Sequence, residues 1–454
     1  MGQGSQLVVG MVSTRFAGTD GVTLEAAKLA EVLAAAGHRV VWFAGELGER
    51  FAPGRLHPPA HFDSEANRAL EAACFGVRTR SPATTALIRE RCDDLKAALR
   101  AFVADLGVDL VVAQNVLCLP MQLPLGLALT EVLVEEDLPV LAHHHDFWWE
   151  RERFFPNAAA DVLGAAFPPV LDRMAHLVIN SAAARELARR RAVEATVLPN
   201  VMDFERGPAR PGDGARYRRA AALGPDDVLL LQPTRVVPRK WIEATIELAG
   251  RLPAAGGPRV TVAVSHAEGD EGHDYGARLR ELATRLGVDL RFVPAGERAG
   301  GPELADAYAA ADLVCFPSVW EGFGNALLEA FFHRRPALVN RYQVYADDIA
   351  PAGVRCIELD AAVTDQAVAE VRDLLAEPRR GRAMAEANYQ AGRRHFSYAT
   401  VRERVLPLVD ELGGSRTRGR GRERVPAVEG GSPHSGYAAS RRGSGPPDTT
   451  PHLQ

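Results

Sequence analysis

Two glutamates, Glu321 and Glu329, lie in a segment whose surroundings give both carboxylates a chemical use. The apolar run before them, residues 313–316, predicts a buried strand, and a glycine-punctuated turn then leads into a helix that we expect Asn325 to cap. Glu329 lies one turn into this helix, which is apolar almost all round. A carboxylate there is costly unless hydrogen-bond donors meet it, and the two hydroxyls of a ribose would do so.

Glu321 lies on the turn above the helix N-terminus, where backbone amides favour anions. One segment thus predicts a carboxylate for a polyol, an amide nest for an anion and a second carboxylate at the same place, which suits a sugar nucleotide. The nest comprises Gly322, Phe323, Gly324 and Asn325. The alternative is that both glutamates are ordinary solvated acids, as isolated glutamates usually are.

Two cationic residues, Arg235 and Lys240, follow an earlier predicted strand, residues 228–231. Pro238 suits a helix start, so Lys240 is expected near a helix N-terminus, where a cation is disfavoured by about 0.3–1 kcal/mol. An anion such as a diphosphate would remove that conflict, and the guanidinium of Arg235 could bind the same group in a fork. The alternative is a pair of surface cations.

The turn Gly18-Thr19-Asp20-Gly21 joins the first predicted strand to the first predicted helix. Glycine at both ends permits a phosphate or a sugar to approach the backbone closely, with Asp20 beside it. Such a turn also serves for simple chain reversal. It lacks the dinucleotide pattern G-x-G-x-x-G, which argues against NAD.

Three consecutive histidines, 143–145, follow another predicted strand. On an extended chain only His143 and His145 share a face, and no further ligand has zinc spacing, so we predict no metal. His145 and Asp146 are instead predicted to line a polar cleft. The aromatic residues that follow, 147–149, suit either an apolar wall for a sugar ring or core packing.

Strands and helices alternate along the chain in two series, which predicts two doubly wound α/β domains facing each other across a cleft. We place the N-terminal domain at residues 1–205 and the C-terminal domain at 206–395. A last helix, 396–412, is long enough to dock back on the first domain. Residues 413–454, rich in Gly, Ser, Pro and Arg, are expected to be disordered.

The bulk composition excludes several classes of protein. A chain of 454 residues with 47% hydrophobic residues supports two cores, and a net charge of −5 argues against a nucleic-acid partner. Five scattered cysteines without a C-x-x-C pair suggest neither disulfides nor zinc, and fit a reducing cytoplasm. The most apolar window, 108–129, is too interrupted to span a bilayer, although peripheral membrane contact stays open.

The motif E-G-F-G-N-A-L-L-E-A, with its Glu-x7-Glu spacing, resembles the signature of retaining GT-B glycosyltransferases of family 4. The resemblance implies that Glu321 lies by the donor sugar and that Glu329 binds the ribose hydroxyls. It also implies that the Arg-x4-Lys pair, Arg235 and Lys240, binds the donor diphosphate. The two-domain layout is similar to GT-B over about residues 6–412, which implies that the domain at 1–205 binds the acceptor and the domain at 206–395 binds the nucleotide-sugar donor.

Further segments extend this resemblance. His145-Asp146 matches a His-Asp pair whose histidine approaches the donor sugar, and similar enzymes place the turn at 18–21 across the cleft from the donor phosphates. Residues 199–203 resemble P-N-G-V-D at the domain crossing but lack its glycine, which leaves the shape of that turn open. Segments 19–25, 115–129 and 143–153 resemble a branch of mannosyl- and glucosyltransferases that act on small solutes.

The resemblance implies metal-independent, retaining transfer of a hexose from a nucleotide-diphosphate sugar, of the GDP-mannose or UDP-glucose type, to a hydroxyl acceptor. No cofactor is expected besides the donor substrate, and a small solute or glycoside is one candidate acceptor. The predicted catalytic residues are His145, Glu321, Arg235 and Lys240. Two alternatives remain: a nucleotide-sugar epimerase with the same two-domain plan, and a non-catalytic nucleotide-sugar-binding protein.

Overall fold

The computed structural model of the chain describes residues 6–18, 20–252, 257–267, 274–296 and 300–414. Two parallel sheets, each covered by helices on both faces, confirm the predicted doubly wound fold class. Thr19 of the glycine turn and all of the predicted tail beyond residue 414 lie outside the described residues.

The first sheet, in the described part of the chain, has seven parallel strands in the order β3-β2-β1-β4-β5-β6-β7. Its central strands are nearly continuous apolar runs, as expected of strands that are buried on both faces. The strands are β1 (Val8–Val12), β2 (Arg39–Ala44), β3 (Gly54–Leu56), β4 (Leu110–Gln114), β5 (Val140–His144), β6 (Met174–Val178) and β7 (Thr196–Val197).

The helices of this half connect the strands. They are α1 (Gly21–Ala35), α2 (Glu65–Cys74), α3 (Pro82–Leu106), α4 (Leu123–Glu135), α5 (Ala160–Ala166) and α6 (Ser181–Arg191). Side-chain caps define several of their starts: Asp20 caps α1 and Asn180 caps α6.

The second sheet, over the residues described, has six parallel strands in the order β10-β9-β8-β11-β12-β13. The strands are β8 (Val228–Gln232), β9 (Val260–Val264), β10 (Asp289–Phe292), β11 (Leu313–Phe316), β12 (Ala337–Asn340) and β13 (Ile357–Leu359). The helices are α7 (Gly214–Ala220), α8 (Ile242–Arg251), α9 (Asp274–Leu286), α10 (Leu304–Ala310), α11 (Asn325–Phe332), α12 (Asp365–Ala376), α13 (Pro378–His395) and α14 (Tyr398–Gly414).

The last helix, α14, returns to the first sheet. Its apolar residues Val401, Val405 and Val409 are buried in the same core as the side chains of β1. The hydroxyl of Tyr398 donates to Glu31 of α1 at 2.8 Å. None of the helices described is long and apolar enough to cross a membrane.

The order of each sheet reverses direction at one place, between β1 and β4 in the first and between β8 and β11 in the second. Loops at the carboxyl ends of such strands diverge and leave a crevice where α/β folds bind ligands. The predicted site segments follow β1, β5, β8 and β11, three of the four strands that flank these reversals and one neighbour. The topology therefore brings all of them to facing edges of the two sheets.

Candidate active site

A cavity of about 860 Å³ lies between the two halves. This volume is within the range of about 300–1,000 Å³ that is typical of small-molecule sites. Residues from both halves form its wall. The predicted site residues among them are Asp20, Gly21, His145, Asp146, Arg235, Glu321 and Gly322.

Six predicted site residues lie outside the lining of this cavity: Gly18, Lys240, Phe323, Gly324, Asn325 and Glu329. Lys240 is buried directly behind Glu321, and Phe323 is buried in the core of the second half. The side chain of Phe323 therefore does not reach the cavity, so only its backbone remains available for binding there. Gly18 has a φ of +71°, a backbone conformation that favours glycine.

Glu321 is held by two cations. Its Oε1 pairs with the Lys240 ammonium, and its Oε2 accepts a hydrogen bond from Arg239 Nη1 at 2.9 Å. Burial works to raise the pKa of Glu321, but Lys240 and Arg239 outweigh it and lower the pKa, so the carboxylate is ionised. The sequence patterns missed Arg239, although it precedes Lys240 directly.

Lys240 is nearly fully buried, and burial lowers its pKa while Glu321 opposes that change. The structure corrects the expected local fold: Pro238–Lys240 form a short 3-10 turn, and α8 begins only at Ile242. Trp241 interrupts the chain between them because its φ of +47° is incompatible with a continuous helix. Lys240 thus still lies near a helix N-terminus, as expected, but it ends a turn just before the N-cap Trp241, and the helix does not start at Pro238.

Arg235 is exposed to the cavity and, within the described ranges, pairs with no carboxylate. Its charge is close enough to lower the pKa of Lys240. The two cations therefore approach each other as predicted from their spacing, with Arg235 facing the cavity and Lys240 behind Glu321.

Gly324, and not Asn325, occupies the N-cap position of α11. Its φ is +129°, and a Cβ atom there would lie 2.3 Å from the Tyr342 hydroxyl, so only glycine fits. Tyr342 donates to the carbonyl of Phe323 at 2.6 Å and holds the turn. The expectation that Asn325 caps the helix is wrong, because Asn325 is the first helical residue and its side chain accepts from Asn200 Nδ2 of the other half at 2.5 Å.

Glu329 has one protein donor on its carboxylate: the Tyr308 hydroxyl donates to Oε2 at 2.8 Å. Burial raises the pKa of Glu329, and Tyr308 only partly offsets the effect. Among the described residues no donor meets Oε1. The prediction that a buried glutamate here needs a hydrogen-bond donor is therefore met in part by a tyrosine, and the ribose role of Glu329 stays a prediction.

His145 lies at the end of β5 and on the cavity wall. Its ring Nε2 is 3.1 Å from Gln114 Nε2, and its backbone N donates to Asn115 Oδ1 at 2.9 Å. Burial lowers the pKa of His145, so the ring is neutral near neutral pH. Gln114 and Asn115 were missed as site residues, although polar residues at the carboxyl end of an apolar strand are a usable signal.

The three consecutive histidines divide as strand geometry requires. The rings of His143 and His145 share a face with centroids 4.5 Å apart, whereas His144 faces His176 on β6. His143 Nδ1 contacts Gln114 Oε1 at 3.2 Å. In the part of the chain that the structure describes, no group of three or more His, Cys, Asp or Glu side chains is arranged to hold a metal ion.

Two first-half acids at the cavity, Asp20 and Asp146, already have protein partners. Asp20 accepts from the Thr23 backbone N at 3.1 Å as the cap of α1, and it pairs with Arg15 at 3.0 Å. Asp146 accepts from Arg151 Nε at 2.8 Å. Gly21 lies opposite Asn325, since a Cβ on Gly21 would be 3.6 Å from Asn325 Nδ2. The N-termini of α1 and α11 therefore face each other across the junction of the halves.

Comparison with known proteins identifies the family to which this two-domain architecture belongs. Residues 19–206 match the model of the family "Glycosyltransferase Family 4", and residues 214–391 match that of "Glycosyl transferases group 1". The chain is 32% identical over 351 residues to the mannosylglucosylglycerate synthase of Thermotoga maritima, covering 70% of this chain and 81% of that protein. It is 28% identical to the synthase of the same name from Petrotoga mobilis, covering 77% of this chain and 86% of that protein.

Among solved structures, Anabaena HepE in complex with UDP and glucose superposes with a TM-score of 0.63 at 14% identity, over 89% of this chain and 100% of that one. That identity supports the fold alone. Together with the two family models and the curated relatives, it agrees with two Rossmann-like halves around a shared cleft. The chain belongs to the family 4 glycosyltransferases and is a glycosyltransferase of the GT-B fold.

Proposed function

We propose that this enzyme transfers a hexose, with retention of configuration, from a nucleotide-diphosphate sugar to a hydroxyl of a small, acid-bearing glycoside. One observation carries the proposal: the cavity between the halves joins an unpaired cation, Arg235, to Glu321 on one side and His145 on the other. A diphosphate needs a cation, a sugar needs polar groups that orient it, and an acceptor needs space beside both.

The donor diphosphate would lie against Arg235 and the facing helix N-termini of α1 and α11. As the bond from the sugar C1 to the diphosphate oxygen breaks, negative charge grows on the leaving group, and these groups with Lys240 stabilise it. The acceptor oxygen forms the new bond to C1, and its proton leaves to the diphosphate or to solvent. Glu321 and the neutral His145 orient the sugar.

Names of relatives support the choice of sugar and acceptor. Two proteins that align with most of this chain are called mannosylglucosylglycerate synthases. We therefore propose a mannosyl donor, with GDP-mannose as the first candidate and UDP-glucose as the second, and glucosylglycerate as the first candidate acceptor. The same names support the resemblance of segments 19–25, 115–129 and 143–153 to mannosyl- and glucosyltransferases that act on small solutes.

We further propose that no metal or other cofactor takes part. In this proposal Arg235 on the cavity wall, Lys240 behind Glu321 and the nearby N-termini of α1 and α11 oppose the charge that a divalent ion would neutralise on the diphosphate. Transfer is therefore expected to continue at an unchanged rate after dialysis against EDTA. A rate that falls severalfold and recovers with Mg²⁺ or Mn²⁺ would contradict this part of the proposal.

The test is a matrix of donors and acceptors. The protein is incubated with GDP-mannose, UDP-glucose, ADP-glucose or UDP-GlcNAc and with glucosylglycerate, glycerate or neutral glycosides, and products are identified by mass spectrometry and by NMR of the new anomeric centre. We expect one donor to yield a glycoside with retained configuration. An inverted product refutes retention, and an epimerised donor without any transfer refutes the assignment as a transferase.

A further inference from the structure

Arg153 lies on the first-half side of the cavity, on the 3-10 turn Glu152–Phe154. Its guanidinium lies 4.7 Å from the centre of the Phe154 ring and contacts the Met121 sulfur. Neither group carries a negative charge. No carboxylate of the described residues forms an ion pair with Arg153, including that of its neighbour Glu152.

The other cations on the cavity wall show how unusual this is. Arg15 pairs with Asp20 at 3.0 Å, Arg151 pairs with Asp146, and Arg239 pairs with Glu321 at 2.9 Å. Only Arg153 and Arg235, among the lining residues described, are left without a carboxylate. Arg235 belongs to the second half, where it suits the donor diphosphate. Arg153 is therefore the cation that the first half contributes to the described lining without a carboxylate at ion-pair distance, with Glu71 and Asp146 acting on it only from farther away.

The guanidinium of Arg153 is exposed at the cavity wall and therefore accessible to an anion. Burial is the largest influence on its pKa and lowers it, while the carboxylates of Glu71 and Asp146 oppose that change. An arginine stays charged under any ordinary condition. Phe62, Leu119 and Met121 line the same wall, which therefore offers apolar surface beside one free positive charge.

We propose that Arg153 binds the anionic group of the acceptor, a carboxylate or a phosphate, through the forked pairing that guanidinium favours. The proposal rests on the function proposed above and assigns the residue that selects acidic acceptors over neutral ones. The apolar wall contacts the carbon skeleton of the same molecule. The acceptor hydroxyl is then presented to the donor sugar at Glu321 and His145.

The experiment compares wild type with Arg153→Ala and Arg153→Lys on three acceptors: glucosylglycerate, its neutral methyl ester and a sugar phosphate. Loss of a charge-assisted hydrogen bond of about 1.5–3 kcal/mol corresponds to a fall of about 10–100-fold in kcat/KM for the preferred acid. We expect turnover of the methyl ester to stay within about threefold of wild type and Arg153→Lys to be intermediate. The acid that suffers the larger loss identifies carboxylate or phosphate as the natural group.

Arg278→Ala is the matched control, because Arg278 also lies over an aromatic ring, at 5.5 Å from Tyr275, but away from the cavity. It is expected to change none of these rates. Equal losses of Arg153→Ala on the acid and on the ester would overturn the proposal, as would no loss on either acid.

A binding measurement separates this proposal from the function on which it rests. Calorimetric titration of glucosylglycerate and of the sugar phosphate into the GDP-bound protein needs no turnover. If wild type transfers to no acceptor, the proposed function fails, while weaker binding of an acid by Arg153→Ala still supports the anion site. Equal affinity of wild type and Arg153→Ala for both acids overturns the anion site even where transfer is observed.

Discussion

At the scale of single residues, Lys240 and Glu321 form a buried ion pair beside the proposed donor site. Burial, Arg239 and Arg235 all lower the pKa of Lys240, and only Glu321 works to raise it. A carboxylate beside the proposed diphosphate site repels the anion. Glu321 also keeps Lys240 charged, because without this carboxylate the Lys240 ammonium would lose its proton more easily.

This arrangement makes a prediction for Glu321→Gln. Removing the carboxylate lowers the pKa of Lys240 further, so the ammonium is lost at a lower pH than in wild type. We expect GDP affinity of the variant to decline as pH rises from about 7 to about 9.5, below the ordinary lysine pKa of about 10.4, while wild-type affinity changes less. Calorimetric titration with GDP across this pH range measures the difference.

The control for this prediction is the double variant Glu321→Gln/Lys240→Arg. Arginine remains charged at every pH tested, so the steep decline in GDP affinity should disappear. A decline that persists in the double variant would show that Lys240 does not titrate in this range. Parallel pH profiles of wild type and Glu321→Gln would contradict the role of Glu321 in holding the lysine charged.

At the scale of elements, neighbouring strands of the first sheet hold a pair of buried histidines. His144 on β5 and His176 on β6 face each other with ring nitrogens 3.0 Å apart, one as donor and one as acceptor. Burial lowers the pKa of His176 to about 4 and that of His144 well below its ordinary value. The pair is therefore neutral, and protonation of either ring would place a charge inside the sheet.

This pair predicts acid sensitivity. In the unfolded chain a histidine gains a proton near pH 6.5, whereas His176 in the folded protein gains one only at a pH of about 4. The contribution of the neutral ring to the free energy of unfolding is therefore complete above about pH 6.5 and is lost as the pH falls towards about 4. The titration of His176 alone should lower the free energy of unfolding by about 2 kcal/mol when the pH falls from about 7 to about 5. Urea denaturation at the two pH values measures this loss.

His176→Gln keeps a hydrogen-bonding side chain beside His144 but removes one titrating group, so its loss on acidification should be smaller than that of wild type. His395→Gln, at an exposed position on α13, should behave as wild type. If His176→Gln and wild type lose the same free energy between the two pH values, the His144–His176 pair does not contribute to acid sensitivity.

At the scale of the whole molecule, a few polar contacts join the two halves around the cavity. Asn180 Nδ2 donates to the Gly322 carbonyl at 2.8 Å, next to Glu321, while its Oδ1 caps α6 by accepting from Ala183 N at 2.7 Å. Asp348 of the second half accepts from the Ser181 backbone N at 3.1 Å. The turn that carries Glu321 is thus positioned by the opposite half, and we expect closure of the halves to be coupled to assembly of the site.

The prediction for this coupling uses Asn180→Ser. Serine still caps α6 but cannot reach Gly322, so only the link between the halves is lost. A single hydrogen bond of about 1 kcal/mol corresponds to a change of about fivefold in the balance between closed and open forms. We expect transfer to fall by about that factor while hydrolysis of the donor falls less, because closure is what excludes water.

Asn180→Ala provides the comparison, since it loses both the link and the cap and should also lower the melting temperature. Product analysis by mass spectrometry gives the ratio of transfer to hydrolysis for each variant. A transfer rate and ratio unchanged in Asn180→Ser would show that the Asn180–Gly322 contact does not position the Glu321 turn.

The sequence by itself determined the fold class and the order of the parts. Strand–turn–helix periodicity and the Glu-x7-Glu and Arg-x4-Lys spacings are local properties, because backbone geometry and the burial of apolar runs repeat within a few residues. They were sufficient to predict that Arg235, Glu321 and His145 lie at facing sheet edges, and all three line the cavity. The sequence did not predict details that depend on a single glycine, such as the N-cap of α11 at Gly324 instead of Asn325.

The tertiary structure alone decided which groups meet. Tyr308 reaches Glu329, Asn180 reaches Gly322 and Asn200 reaches Asn325 across separations of 21, 142 and 125 residues. No local pattern encodes such partners, because they depend on how two domains pack and on which side chains are left opposite each other. Among the residues that the structure describes, the same packing leaves Arg153 without a carboxylate at ion-pair distance and pairs Lys240 with Glu321. The charges available to a substrate therefore emerge only when the chain is folded.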